Sequence, residues 1–180
     1  MRVDPTIFKA YDIRGIYPSQ LDEETGRAVG RAFATLLKPT QVVVGRDMRL
    51  SSPTVCEALV AGLIQQRVDV IDLGMVSTDQ YYYACATCRL PGIMVTASHN
   101  PAEYCGFKMV REMPYLLSGD EGIQDLRRLI EADDFQPADG TGVVEARDLS
   151  DGFVDKVLSL VDVDRLRPLK IVADTGNGMV

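Results

Sequence analysis

Gln41-Val-Val-Val-Gly45-Arg-Asp-Met-Arg49-Leu-Ser-Ser52-Pro53 carries the two signals that decide the fold. A run of β-branched residues bounded by Pro39 and Gly45 reads as a short buried strand. Ser52-Pro53 then opens a helix, with the serine as cap and the proline in the first turn, where a missing N–H is harmless. That helix continues through Leu59, Leu63 and Ile64, and Val68-Asp-Val-Ile-Asp-Leu73 follows as a second strand closed by Gly74. Thr78 to Cys88 reads as a helix holding the aromatic run Tyr81-Tyr-Tyr83, and Gly92-Ile-Met-Val-Thr96 as a third strand. Upstream, Leu21 to Leu37 repeats apolar residues at helical spacing until Pro39 ends it. Alternation of this kind implies an α/β fold, a mixed but mainly parallel sheet flanked by helices.

The rhythm changes after Ser98. Too few residues separate the Val95 strand from Phe107-Lys-Met-Val110 for a helical crossover, so this last strand is expected to be antiparallel and at the sheet edge. Ser118-Gly-Asp-Glu121 has capping-box spacing and is expected to open a helix through Ile123, Leu126, Leu129 and Ile130. Pro137 to Gly142 reads as a loop, Val143-Val144 as a short strand, and Asp151 to Val161 as a helix with Phe153, Val157, Leu158 and Val161 on its apolar side. Lys170-Ile-Val-Ala-Asp174 is expected to form a strand before the turn Gly176-Asn-Gly178. A domain boundary is therefore placed near residues 145–155: residues 1–150 form one domain, and residues 151–180 the incomplete beginning of a second α/β domain.

The 180 residues are 46% hydrophobic, enough for a sizeable core. With 26 acidic against 19 basic side chains the formal net charge is −7, which argues against nucleic-acid partners but not against a local phosphate site. No apolar run reaches the ~20 residues that span a bilayer, and no signal-peptide core follows the N-terminus, so the expected location is cytoplasmic, away from membranes. Cys56, Cys85, Cys88 and Cys105 are spaced irregularly, as free thiols would be. Cys85-Ala-Thr-Cys88 has half the spacing of a zinc site, but no second pair follows.

Chemistry concentrates in Val95-Thr-Ala-Ser-His-Asn-Pro101, just past the end of a buried strand, where open α/β sheets place reactive groups. Ser98 is flanked by His99, the single histidine, and by Asn100. A serine hydroxyl there reads equally as a simple turn residue or as a reactive one. Lys108 lies across the short return connection, where it reads as an edge-strand lysine or as a group brought back toward the loop for proton transfer or for a phosphate. Arg14 precedes Gly15 in Phe8-Lys-Ala-Tyr11-Asp-Ile-Arg-Gly15. Arg46 and Arg49 flank Asp47; converging arginines hold a dianionic phosphate, and a structural Arg46–Asp47 network is the alternative.

These segments, with Gly74-Met-Val-Ser-Thr78, Gly106-Phe-Lys108 and Asp174-Thr-Gly-Asn-Gly178, stand in an order that resembles the N-terminal portion of the α-D-phosphohexomutases, closest to the bacterial phosphomannomutase/phosphoglucomutase group. The resemblance implies reversible phosphate exchange between the 1- and 6-positions of glucose or mannose, through phosphorylated Ser98 and a hexose 1,6-bisphosphate. It further implies Arg14 and His99 beside the phosphoserine, Lys108 as acid/base, Tyr11 at the entrance, and Arg46, Arg49 and Asn100 in the phosphate environment. Mg²⁺ would be held by Ser98 through its phosphate, with the remaining ligands outside this chain. Activation by glucose or mannose 1,6-bisphosphate, hexose phosphates as partners, and a monomer or weak oligomer are implied as well.

Two positions depart from the pattern. Cys105 stands where the family usually has Asn, which would reshape a turn, and Asp79 where it usually has Pro, as a candidate cap for the following helix. The family's later metal, sugar and phosphate loops are not in this chain, so the isolated 180 residues are expected to be inactive. A non-catalytic sugar-phosphate-binding or regulatory remnant and an aminosugar phosphate mutase are the competing readings.

Overall fold

Val42, Val43 and Val44 alternate between two cores: the first and third join one apolar cluster and the second joins another. A strand whose side chains are buried on both faces must lie inside a three-layer molecule. The computed structural model, which describes residues 3–135, 139–176 and 178–179, places it so. This strand, β2 (Gln41–Arg46), pairs in parallel with β3 (Asp69–Met75) on one side and β4 (Gly92–Val95) on the other. β4 runs antiparallel to β5 (Tyr104–Glu112), and β5 antiparallel to β1 (Ile13–Ile16). β7 (Val144–Ala146) extends the sheet in parallel beyond β3, and β6 (Tyr115–Leu116) folds back on the end of β5. The order is β1-β5-β4-β2-β3-β7, a mixed sheet with a parallel centre.

Helices α1 (Glu23–Leu37), α2 (Ser52–Ile64) and α4 (Ile123–Ala132) cover one face, with Val29, Phe33, Leu59, Leu63, Leu126 and Ile130 in its core. Helix α3 (Thr78–Cys88) covers the other through Tyr81, Ala84 and Cys85. The split has a topological cause. The chain moves from β2 outward to β3 through α2, then reverses past β2 to β4 through α3. Right-handed crossovers running in opposite directions along a sheet put their helices on opposite faces. Helix α5 (Ser150–Leu158) leans on α3, where the Phe153 ring meets Tyr83 edge-on at 5.8 Å between centroids. Among the described residues no helix is long and apolar enough to cross a membrane.

Several expectations are corrected. The strand through Phe107 is antiparallel, but it is not at the edge: β1 covers it, so Lys108 is no edge-strand lysine. Ser118 to Glu121 does not open a helix, because Gly122 takes φ +122°, outside the helical range, and α4 starts only at Ile123 without a side-chain cap. Ser52 lies inside α2, and its hydroxyl donates to Asp47 Oδ1 at 2.5 Å instead of capping. Ser77, not Asp79, caps α3, in a reciprocal capping box with Gln80. Cys105 occupies an extended, buried place in β5 opposite Gly15 rather than a turn. Lys170 to Asp174 forms no strand; Ile171 and Val172 are exposed, with no neighbouring strand among the described residues. Pro137 and Asn177, read above as parts of a loop and a turn, lie outside the described residues.

Helices α1 and α2 touch backbone to backbone. A Cβ on Gly62 would lie 2.2 Å from the Arg27 carbonyl oxygen, and one on Gly30 would lie 2.3 Å from that of Leu59. Gly62→Ala is therefore expected to destabilise the protein by about 1–3 kcal/mol in denaturant unfolding, as overpacking does. At a helix position with free space the same change would stabilise by roughly 0.5–1 kcal/mol, so the sign decides.

The buried thiols make a second prediction. Burial pushes Cys56 and Cys85 up to about 12 and Cys105 up to about 11. A thiol held neutral in the folded state contributes stability that is complete below its ordinary value of 9.0 and is lost as pH rises toward the folded values. Urea midpoints should be unaffected by these groups up to that pH and fall above it. Cys56→Ala should make the decline shallower than in the parent protein.

Candidate functional site

The reversal of direction at β2 leaves a gap at the C-terminal ends of β2 and β4, the switch point where ligands bind in open α/β sheets. The loops leaving these strands enclose a hollow of about 410 Å³ lined by Met48, Arg49, Leu50, Ser98, His99, Asn100 and Ala102. Ser98 and His99 are exposed in it. Ser98 is held in the left-handed region at φ 54°, uncommon for a residue with a Cβ. Its N–H donates to Thr96 Oγ1 at 2.9 Å, and the Asn100 N–H donates to the Ala97 carbonyl at 3.1 Å. The loop is thereby a tight, self-bonded turn that presents the serine hydroxyl outward.

Arg49 fastens this turn from across the gap. Its guanidinium donates to the carbonyls of Ser98 at 2.8 Å, Asn100 at 2.6 Å, Pro101 at 2.6 Å and Tyr104 at 3.2 Å. Asp47 Oδ2 stands 3.2 Å from Arg49 Nε, and its other oxygen receives the Arg49 N–H and the Ser52 hydroxyl. With its terminal nitrogens committed to backbone oxygens, Arg49 is a clamp for the loop and not a free anion-binding group. Arg46 does not converge with it. It lines a separate hollow of about 400 Å³ with Cys56, Glu57 and Asp72.

The other cations come from β1 and β5. The β1–β5 register sets Arg14 opposite Gly106 and, continued by one residue, Asp12 opposite Lys108, so the four share one face. Gly106 makes this possible, since a Cβ there would stand 2.3 Å from the Ile13 carbonyl oxygen and 3.1 Å from that of Thr96. Arg14 donates to Asn100 Oδ1 through one terminal nitrogen and to Asp12 Oδ2 through the other. The same Asp12 oxygen lies 3.7 Å from Lys108 Nζ. The side chains are 11% exposed for Asp12, 16% for Arg14 and 26% for Lys108, so the cluster is inside but reachable. Beside it on α3, burial raises the Tyr82 hydroxyl above its ordinary value, with the charges of Asp79, Cys85 and Asp12 acting the same way.

Arg14, Asn100, Ser98 and His99 are thus brought together, with Lys108 joined through Asp12. Tyr11 stands apart and exposed, in a hollow shared with Lys9, Ser118, Asp120 and Gln124. Asp12 is the member that the motif reading passes over. Its signal was the i, i+2 spacing to Arg14 in a segment not recognised as a strand.

Residues 5–137 match the family model described as phosphoglucomutase/phosphomannomutase, alpha/beta/alpha domain I. The chain is 46% identical over 176 residues to a phosphomannomutase of Escherichia coli, covering 96% of this chain and 39% of that protein. It is 41% identical over 172 residues to a protein named phosphohexose mutases in Xanthomonas campestris pv. campestris (strain B100), covering 95% of this chain and 38% of that one. A crystal structure of a phosphoglucomutase/phosphomannomutase family protein from Burkholderia thailandensis superposes with a TM-score of 0.77 at 38% identity, covering 88% of this chain and 36% of that one. The chain therefore spans about two fifths of the length of the curated relatives it matches.

The Arg49 clamp makes its own prediction. Hydrogen bonds from a charged donor contribute roughly 1.5–3 kcal/mol each when buried, and part of this set is exposed. Arg49→Ala should lower stability by about 2–4 kcal/mol in urea unfolding and open residues 98–104 to limited proteolysis. Arg49→Lys keeps the charge but lacks the planar fork, so it should restore less than half of the loss.

Proposed function

The chain belongs to the phosphoglucomutase/phosphomannomutase family, and from that premise we propose that it is the phosphoserine-bearing part of a hexose phosphate mutase, with Ser98 as the residue that carries the phosphate. The observation that carries the reading is the placement of Ser98: an exposed hydroxyl on a clamped left-handed turn at the switch point, with Arg14 tied into the same turn through Asn100.

In the proposed reaction, phospho-Ser98 faces the free 6-hydroxyl of a hexose 1-phosphate. The bond from phosphorus to Ser98 Oγ breaks as the bond to the sugar oxygen forms. Lys108 is the candidate to take the hydroxyl proton, and Ser98 Oγ regains a proton from His99 or water. The hexose 1,6-bisphosphate then turns over, and its 1-phosphate returns to Ser98 by the reverse path, leaving the 6-phosphate. Arg14 and His99 supply donors to the phosphoryl oxygens, and Arg49 keeps the turn from relaxing as charge moves. Glucose and mannose phosphates are the proposed substrates, with the corresponding 1,6-bisphosphates as activators.

Among the described residues no three His, Cys, Asp or Glu side chains cluster closely enough to hold a metal ion. Mg²⁺ fits here through phosphate oxygens on Ser98 and water, with further protein ligands supplied from outside these residues; when bound it would offset negative charge on the transferring group. The exposed apolar residues Val157, Leu158, Leu166, Leu169 and Ile171 support the reading of residues 151–180 as the beginning of a second domain.

Exposing the intact gene product to glucose 1,6-bisphosphate and mapping its peptides by mass should place one phosphate on Ser98. Ser98→Ala should remove the label and lower mutase turnover by at least about a thousandfold. Label persisting on another residue contradicts the assignment. Turnover on glucosamine phosphate exceeding that on glucose and mannose phosphates would contradict the substrate choice.

A further inference from the structure

Asp12 is 8% exposed just before the outermost strand β1, and a carboxylate is seldom buried without cations to hold it. It has two, and both contacts fall on one oxygen, Oδ2. They are not alike. The contact to Arg14 is a full charge-assisted hydrogen bond, whereas Lys108 Nζ at 3.7 Å is beyond hydrogen-bond reach. Arg14 is thereby fixed with its other nitrogen on Asn100, in the Ser98 turn. Lys108 is attracted but makes no hydrogen bond to the carboxylate, so its Nζ stays free for the proton exchange proposed above. Without the carboxylate, two positive charges would face one another across the β1–β5 pair, and Arg14 would lose the contact that turns it toward the loop.

We propose that Asp12 is a positioning residue, which sets Arg14 against the Ser98 turn and holds Lys108 beside it, unlocked. The inference rests on the mutase reading above and deepens it. Asp12 makes no contact with the hollow around Ser98, so it acts through its two partners rather than on substrate. A phosphate arriving on Ser98 competes with this carboxylate for the two cations, and the loosely held lysine is the one that can turn to it. The effect is expected in the chemical step more than in substrate capture.

The test is steady-state kinetics on the intact gene product, with circular dichroism and thermal melting to show that each variant is folded. Asp12→Asn should lower kcat at least tenfold while KM stays within threefold of the parent value. Asp12→Glu, which restores the charge, should recover most of the lost kcat. If Asp12→Asn is insoluble, Asp12→Ser, which is smaller and still accepts a hydrogen bond from Arg14, should show the same split. A folded Asn or Ser variant with parental kcat overturns the proposal, and so does a Glu variant that is folded but no better than Asn. Ser98 phosphorylation of the parent, measured alongside, separates the two levels. An unlabelled parent contradicts the mutase reading itself, whereas a labelled parent whose turnover ignores Asp12→Asn contradicts only the role of Asp12.

Discussion

One guanidinium spans the gap that the sheet topology opens. Arg49 follows the end of β2 and gathers the carbonyls of Ser98, Asn100 and Pro101 in the connection between β4 and β5, with that of Tyr104 at the start of β5. The carbonyls of Ser98 and Asn100 lie in a loop at a switch point with no neighbouring strand to satisfy them, and that of Pro101 already accepts the Tyr104 N–H. Arg49 donates to all four, and Asp47, itself receiving the Ser52 hydroxyl, holds Arg49 in turn. The unusual backbone of Ser98 persists because it is determined from both ends, by Thr96 inside the loop and by Arg49 outside it.

The second constraint is the close approach of β1, β5 and the end of β4 around Gly106. With no side chain there, three backbones meet, and the flanking positions Asp12, Arg14 and Lys108 come onto one face. A chain with formal net charge −7 thereby gathers two cations around a single acid, a local excess of one positive charge, with Arg14 bonded to Asn100 in the Ser98 turn. Local register, rather than overall charge, governs the electrostatics of the site.

Much of this was legible in the sequence. The parallel centre followed from Gln41–Gly45, Val68–Leu73 and Gly92–Thr96 alternating with helices at the spacing of parallel crossovers. The antiparallel turn-back after Ser98 followed from the length of the connection. The misses share a cause: they depended on partners distant in sequence. Ile13–Ile16 carries Arg14 and Gly15, no strand signal, and becomes a strand only because β5 offers a ladder. Lys170–Asp174 has the strand composition but no ladder to join among the described residues. Arg46 and Arg49 look equivalent around Asp47, yet they are directed into different hollows, since adjacent backbone directions at a strand end are set by the fold. Asp12 was invisible for the same reason as β1.

The site depends on the Ser98 turn being held in place before any substrate arrives. Hydrogen exchange of the backbone amides from 96 to 106 in the unliganded intact protein measures this directly. Thr96, Ser98, Asn100 and Tyr104 donate to Gly106, Thr96 Oγ1, Ala97 and Pro101 respectively, so these amides should exchange far more slowly than in an unstructured peptide of the same sequence. Exchange of Ser98 and Asn100 at the free-peptide rate would show an unclamped loop and contradict the account.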